Sequence, residues 1–432
     1  MTTLDRIYAT LAEQFLARFP EELSTQRTVG REAEYPVVMN DGQAADVQRL
    51  WPLLLERGDL KAKYDTGSTN LIVELSGHDY TYAIEVGRGT IELNSRPCNT
   101  ILEAKAILEE ATLRVVRAAL RFGWMILGYG IQPITPPTLS LMTPKQRYQS
   151  LYRAMGNEWL WYTVTASDQT QIAIRRHEAI QMLNFGNLMT PVIIALCANS
   201  PVFGGNLSPF CSGREGHHEL IRAMEHRHGM PIRPFRDVYD FVERICQTTY
   251  LIHRESGAVI PMSRPFYQYL LESYEREQQA DFAAFLFHEH YMWNSARIRA
   301  AYGTIEIRPA CQQPWHEHMA VMALNVGLIE SADIIQEYLD QTLGEDAWQT
   351  MRTYQQQVIR HGLRAPQPAP QMLERIVCWA EEGLRKRGFG EDSLIQPIYE
   401  RLYRNENPAQ RARRVFRSDG MAGLLRHAVI RL

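Results

Sequence analysis

The chain lacks the marks of several large protein classes. Neither charge is in excess. Its 46 Lys+Arg against 49 Asp+Glu leave a formal net charge of −3 over 432 residues. No surplus of basic side chains is available to neutralise phosphates, which argues against nucleic-acid binding by bulk charge. The six cysteines include no C-x-x-C pair and are too sparse for a disulfide scaffold, so they are expected to be reduced thiols of a cytoplasmic protein. Long apolar runs are missing. Pro191 to Ala198 falls far short of the ~20 residues that a membrane span needs. The opening stretch MTTLDRIYATLAEQFLARF carries Asp5, Arg6 and Glu13 where a secretory signal has an uncharged core. There is no G-x-x-x-x-G-K-[ST] loop, and Gly128-Tyr-Gly130 lacks the third glycine and following helix of a dinucleotide fingerprint. His217-His218 and His288-Glu-His290 miss the H-E-x-x-H spacing, and i, i+2 positions on a helix do not share a face, so zinc is not expected.

What is present is an ordinary globular composition, 45% hydrophobic and 22% charged, with ample chain for a core. Residues 28–100 mix short β-rich runs with glycine turns: TVGREAEYPVV, NLIVEL, YTYAIEVG and GTIELNSR. Residues 101–122 set Leu102, Ala106, Leu113, Val116 and Leu120 at helical spacing, which predicts an amphipathic helix. Two further β islands, 163–174 and 303–310, sit among helical stretches at 178–198, 235–252 and 316–342. Beyond 316 the pattern is almost wholly helical. It is interrupted by the proline-rich 364–370 and resumes over 371–387 and 393–404. Strands that must pair across such distances make the class α+β with an antiparallel sheet. The basic run Arg411–Arg414 reads as a solvated face or a phosphate contact.

The chemistry sits on the β segments. On a strand, Glu32 and Glu34 share one face, with Ala33 and Tyr35 on the other. Such a pair is tolerated by water on a surface, and in a buried site only with cations. Glu85 and Glu92 flank Val86-Gly-Arg-Gly-Thr-Ile91. A tight hairpin there sets the two acids directly opposite each other, a destabilising arrangement that a divalent metal would offset. In Gly303-Thr-Ile-Glu-Ile-Arg308, Glu306 and Arg308 face away from Ile305 and Ile307, as suits a site holding both metal and anion. Gln169 and Gln171 likewise share a face. Acids in matching phase on several strands point to a metal-bearing sheet of the kind nucleotide phosphates require. Cys98 and Cys311, next to two of these strands, are expected to be buried structural thiols.

These motifs resemble, in order, those of the glutamate–cysteine ligase family, especially its plant-type branch and the related bacterial carboxylate–amine ligases. Gly30-Arg-Glu-Ala-Glu-Tyr-Pro36 is similar to G-x-E-x-E-Y-P, and Glu85 to Ser95 to E-P-G-G-Q-x-E-L-S. Thr165 to Gln171 is similar to T-C-T-V-Q-V-N. Ala198-Asn-Ser-Pro201 with Ser212-Gly-Arg214 resembles A-N-S-P and S-x-R. Residues 303–308 resemble G-T-[VI]-E-[VI]-R, and Glu382 to Glu391 a late helical motif. The resemblance spans roughly 28–410. It implies an antiparallel sheet funnel of glutamine synthetase type flanked by helices, in a single catalytic domain over 1–432. The expected parts are an N-terminal helix at 1–27, the sheet with inserted helices at 28–315, and a helical region at 316–432.

The same resemblance implies ATP, two or three Mg²⁺ ions and a glutamyl phosphate attacked by an amine, cysteine by default. It makes Glu32, Glu34, Glu85, Glu92, Gln169 and Glu306 metal ligands. Arg214 and Arg308 become the anion clamps of catalysis, with Arg297 and Gln171 joining them in binding substrate or ATP. The expected partners are therefore small molecules, with neither nucleic acid nor membrane. Asp168, Ala173 and Pro309-Ala-Cys311 depart from the family pattern near where members hold the acceptor. This leaves open another amino acid or amine as acceptor. A non-catalytic nucleotide or amino-acid sensor and a metal-dependent phosphohydrolase are the readings from other classes.

Overall fold

The computed structural model describes residues 2–24, 26–67 and 70–431. Its centre is a nine-stranded sheet, whose strands are numbered here in chain order: β1 Val29–Val38, β2 Lys61–Tyr64, β3 Ile72–Ser76, β4 Tyr80–Ile84, β5 Thr90–Ser95, β6 Met125–Ile126, β7 Asp168–Ala173, β8 Ala296–Arg299 and β9 Thr304–Ile307. The order across it is β8-β9-β7-β1-β5-β4-β3-β2, with β6 also pairing β1. Every pairing is antiparallel. The class is α+β as expected, and from 316 on the chain is helical.

One face of the sheet supplies two apolar cores. Val29, Ile172, Ile305 and Ile307 pack with the helices Ala179–Leu188, Thr190–Cys197, Ala320–Glu330 and Met372–Arg387. Ala33, Tyr35, Tyr82 and Leu93 pack with the helix Ile101–Leu120. Two of those helices approach at glycine: a Cβ on Gly327 would lie 2.2 Å from the carbonyl oxygen of Ala380.

Several expected elements are trimmed. The N-terminal helix runs Thr3–Leu16, not to 27. Thr2 caps it, and Pro20 lies just beyond its end, where no helix can continue. The apolar run 178–198 breaks at Met189, with Pro191 opening the next helix. The Ile101–Leu120 helix forms, but on a different face. Ala104, Leu108, Ala111, Val115 and Ala119 are buried, while Leu102 and Leu120 are exposed at 42% and 54%. Several offset apolar stripes were available on so apolar a helix, and the strands beneath it select one. The basic run lies in the helix Pro408–Ala428, where Arg414 is exposed and solvated as expected while Arg411 and Arg413 are half-buried and engaged with the protein. Arg411 pairs with Glu317 at 2.6 Å, Arg413 donates to the Ser208 carbonyl, and Arg414 pairs with Glu406.

Candidate active site

The opposite face of the sheet is polar, and a cavity of about 750 Å³ lies over it. Period-two alternation turns Glu32 and Glu34 into this cavity while Ala33 and Tyr35 enter the core. Antiparallel register then sets Glu34 opposite Glu92, and Glu32 between Asn94 and Gln169. On the other side, Glu306 stands opposite Gln171 and Arg297. All ten residues singled out in the sequence line the one cavity: Glu32, Glu34, Glu85, Glu92, Gln169, Gln171, Arg214, Arg297, Glu306 and Arg308.

The hairpin differs from expectation. Ile84 pairs with Ile91 and Ala83 with Glu92, so Glu85 does not face Glu92 across the strands. The directly opposed like charges are Glu34 and Glu92. The cause is a wider loop, Glu85–Gly89, in which a turn bond from the Thr90 N–H to the Gly87 carbonyl closes the tip and the surroundings hold the rest. Thr143 donates its N–H to the Val86 carbonyl and its Oγ1–H to that of Glu85, both at 2.8 Å. Gly87 lies so close to Thr163 that a Cβ would sit 1.8 Å from its carbonyl oxygen. The loop still returns the Glu85 carboxyl close enough to that of Glu92 for each to shift the other's protonation.

The cavity is electrically divided. At one end an oxygen from each of Glu32, Glu34 and Glu92 lies within 4.8 Å of the others. Burial, then Glu92, Glu306 and Glu34, push the Glu32 carboxyl well above its ordinary value. Burial and Glu85 do the same to Glu92, and burial with Glu34 takes Glu85 to about 6. At the other end burial should raise Glu306, but Arg297, Arg299 and Arg308 hold it well below the usual carboxylate range. Arg297 Nε donates to it at 2.6 Å, and Arg308 and Gln171 Nε2 also donate.

Gln169 joins the two ends. Its Nε2 donates to Glu32 at 2.7 Å and to Glu34 at 3.2 Å, and its Oε1 accepts from Arg308 at 2.5 Å. As placed, it presents nitrogen, not oxygen, to the acids. Arg214 pairs with Glu215 and keeps a buried Nε without a partner. A donor set of half-buried and buried carboxylate oxygens whose protonation is favoured by mutual repulsion fits a hard divalent cation.

The departures from the family pattern lie mostly elsewhere. Asp168 is fully buried and forms a bidentate pair with Arg31, Nε and Nη2 each at 2.7 Å. Cys311 is buried against Ser200 and Ser212, and of these positions Pro309 alone reaches the cavity. The expected structural thiols hold, since burial takes Cys98 up to about 11 and raises Cys311. Sequence reasoning missed the cavity's far wall, Arg147, Trp159, Tyr162, His218, His228 and Trp293. These come from short helical segments and from a two-residue parallel strand pair, His228–Gly229 with Trp293–Asn294, too short to carry a periodic signal. Only His218 was visible, and only as a zinc candidate.

Residues 61–428 match the model of a family described as glutamate–cysteine ligase family 2. The chain is 24% identical over 358 residues to the chloroplastic glutamate–cysteine ligase of Medicago truncatula, covering 79% of this chain and 68% of that one. It is 23% identical over 376 residues to that of Arabidopsis thaliana, covering 81% and 68%. A putative glutamate–cysteine ligase 2 of Roseiflexus sp. is 27% identical over 190 residues, 43% of this chain and 45% of that one. Among solved structures, the glutamate–cysteine ligase of Francisella tularensis in complex with AMP shares the fold with TM-score 0.58 at 11% identity, over 95% of this chain and 88% of that one. A bifunctional glutathione synthetase from Pasteurella multocida gives 0.52 at 12%, over 98% and 52%.

Proposed function

We propose that this chain, which belongs to the glutamate–cysteine ligase family, uses ATP to activate the γ-carboxylate of glutamate as an acyl phosphate and couples it to an amine, releasing ADP and phosphate. The observation that carries this reading is the division of a single cavity into a carboxylate end and an arginine end. A carboxylate has no adequate leaving group, and forming the mixed anhydride with phosphate supplies one that an amine can displace. Both reactants in that first step are anions, so their charge has to be matched before they meet.

Arg308, Arg297 and Arg214 supply fixed positive charge for the phosphoryl group or the substrate carboxylate, and Glu306 holds two of them in place. Glu32, Glu34, Glu85 and Glu92 would hold Mg²⁺, which when bound neutralises phosphate oxygens. The sheet's rigidity fixes the relative positions on which in-line transfer depends. Cysteine is the first acceptor to test. The aromatic wall of Trp159, Tyr162 and Trp293 also gives a larger amine a surface to pack on.

The test is purified protein with ATP, Mg²⁺ and glutamate, with amino acids and amines added singly. Phosphate release that requires both glutamate and one amine supports the ligase and identifies the acceptor. Release without any amine marks a hydrolase, and thermal stabilisation by ATP without turnover marks a sensor. Glu85→Gln and Glu306→Gln are expected to abolish turnover with the fold intact. Wild-type rates in either variant would rule out its assigned role.

A further inference from the structure

Resting on the ligase reading, we propose that His218, backed by the Tyr162–His228 pair, accepts the proton that the incoming amine must lose. The helix Gly213–His218 carries Arg214 and His218 four residues apart, which places both on one face, and both line the cavity. His217 points elsewhere, stacked on Trp161 at 3.8 Å. His218 is 4% exposed, and its Nε2 is buried with no hydrogen-bond partner. A buried orphan of this kind calls for a ligand group to complete it.

Its neighbours are suited to passing a proton on. Tyr162 Oη is 2.6 Å from His228 Nε2. The His218 ring centroid is 5.0 Å from that of Tyr162 and 5.2 Å from that of His228. His228 in turn borders a second cavity of about 280 Å³, with Glu219, Arg352 and Gln356, which offers a way out for the proton.

The charge environment agrees with this role. Burial, then Arg214, His228, Arg308 and His217, hold His218 well below its ordinary value, so the imidazole is neutral and able to accept. Glu215, paired with Arg214, is the acid on the same helix, and Arg227 also faces His228. A neutral imidazole is a weak base towards a free ammonium. Attack on the acyl phosphate acidifies the nitrogen, and at that stage the neutral imidazole can take its proton. The C–N bond forms, the bond from the acyl carbon to the phosphate oxygen breaks, and inorganic phosphate leaves with the electron pair. The proton passes from nitrogen to His218 Nε2, and the surrounding arginines, which disfavour a charged imidazole at His218 and His228 alike, favour its release to solvent.

The experiment compares wild type, His218→Gln and Tyr162→Phe with the wild-type amine acceptor and with hydroxylamine, whose nitrogen, once bonded to the acyl carbon, is acidic enough to lose its proton to water. For His218→Gln the expected result is a loss in kcat of about 10²-fold or more with the amine. With hydroxylamine the loss is only a few-fold, and KM for ATP is little changed. Tyr162→Phe shifts the acidic limb of the kcat–pH profile and carries the test should His218→Gln fail to fold. Equal losses with both nucleophiles, or wild-type behaviour with both, overturn the proposal while leaving the ligase reading standing. No glutamate-dependent turnover by wild type with either nucleophile overturns the ligase reading, and this inference with it.

Discussion

Glu34 and Glu92 face each other across β1 and β5, a placement that costs the metal-free protein stability. Glu92→Gln removes that repulsion. We expect it to raise the thermal midpoint without metal, by up to about 1 kcal/mol of stability, to abolish the further rise that Mg²⁺ produces, and to stop turnover. An undiminished response to Mg²⁺ in the variant would refute the cation assignment. The same residues predict a pH dependence. Glu85, raised to about 6, and Glu32 and Glu92, raised as well, favour the folded state while protonated, and that contribution is lost as pH climbs through their folded values. Mg²⁺ replaces those protons, so its stabilising increment should be small at about pH 5 and grow through pH 6 towards about pH 7.5. Half-buried His217 and buried His288, lowered to about 4 and about 3, act with the opposite sign. Their neutral forms lose stability to the protonated unfolded state as pH falls below ~6.5. They do so with and without metal, so the difference between two thermal scans isolates the carboxylates. An increment independent of pH would show that the cluster is not the binding site.

At the scale of elements, the Glu85–Gly89 loop ties the strands that carry the acidic cluster to the helical wall. Gly87 makes this possible, since the Thr163 backbone occupies the space a side chain would need. Gly87→Ala should force the loop away, costing about 1–3 kcal/mol of stability and lowering turnover well below what that loss explains, because Glu85 moves with it. Denaturation and steady-state kinetics on the same preparation check this. Normal kinetics with unchanged stability would mean that the loop docks without that contact.

On the scale of the whole molecule, the C-terminal helices are fastened behind the sheet by a buried ion cluster. Glu317 accepts from Arg401 Nη2 at 2.5 Å and from Arg411 Nη1 at 2.6 Å, and Arg401 is 1% exposed. Glu317→Gln leaves a buried guanidinium short of its counter-charge, at a cost of about 3–5 kcal/mol. We expect a lower thermal midpoint and faster proteolysis near 404–408, with KM for glutamate unchanged below the transition. Unaltered proteolysis would show that packing alone holds these helices. No helix among the described residues is by itself long and apolar enough to cross a membrane.

Alternation and motif order were enough to identify most of the catalytic sheet. A strand has only two faces, so Glu32, Glu34, Glu306 and Arg308 could be assigned to one of them from the residues alone, and all four line the cavity. Helical periodicity likewise located Ile101–Leu120 and Met372–Arg387. Register, pairing partners and choice of face were settled only in three dimensions. Glu92 faces Glu34 rather than Glu85 because Thr143 and Thr163, distant in the chain, hold the hairpin loop open. Asp168, out of place by motif, is matched by Arg31 from a neighbouring strand. The wall of Tyr162, His218 and His228 exists only because segments without periodicity fold over the sheet. Local pattern decides which way a side chain points, whereas packing between remote segments decides what it meets.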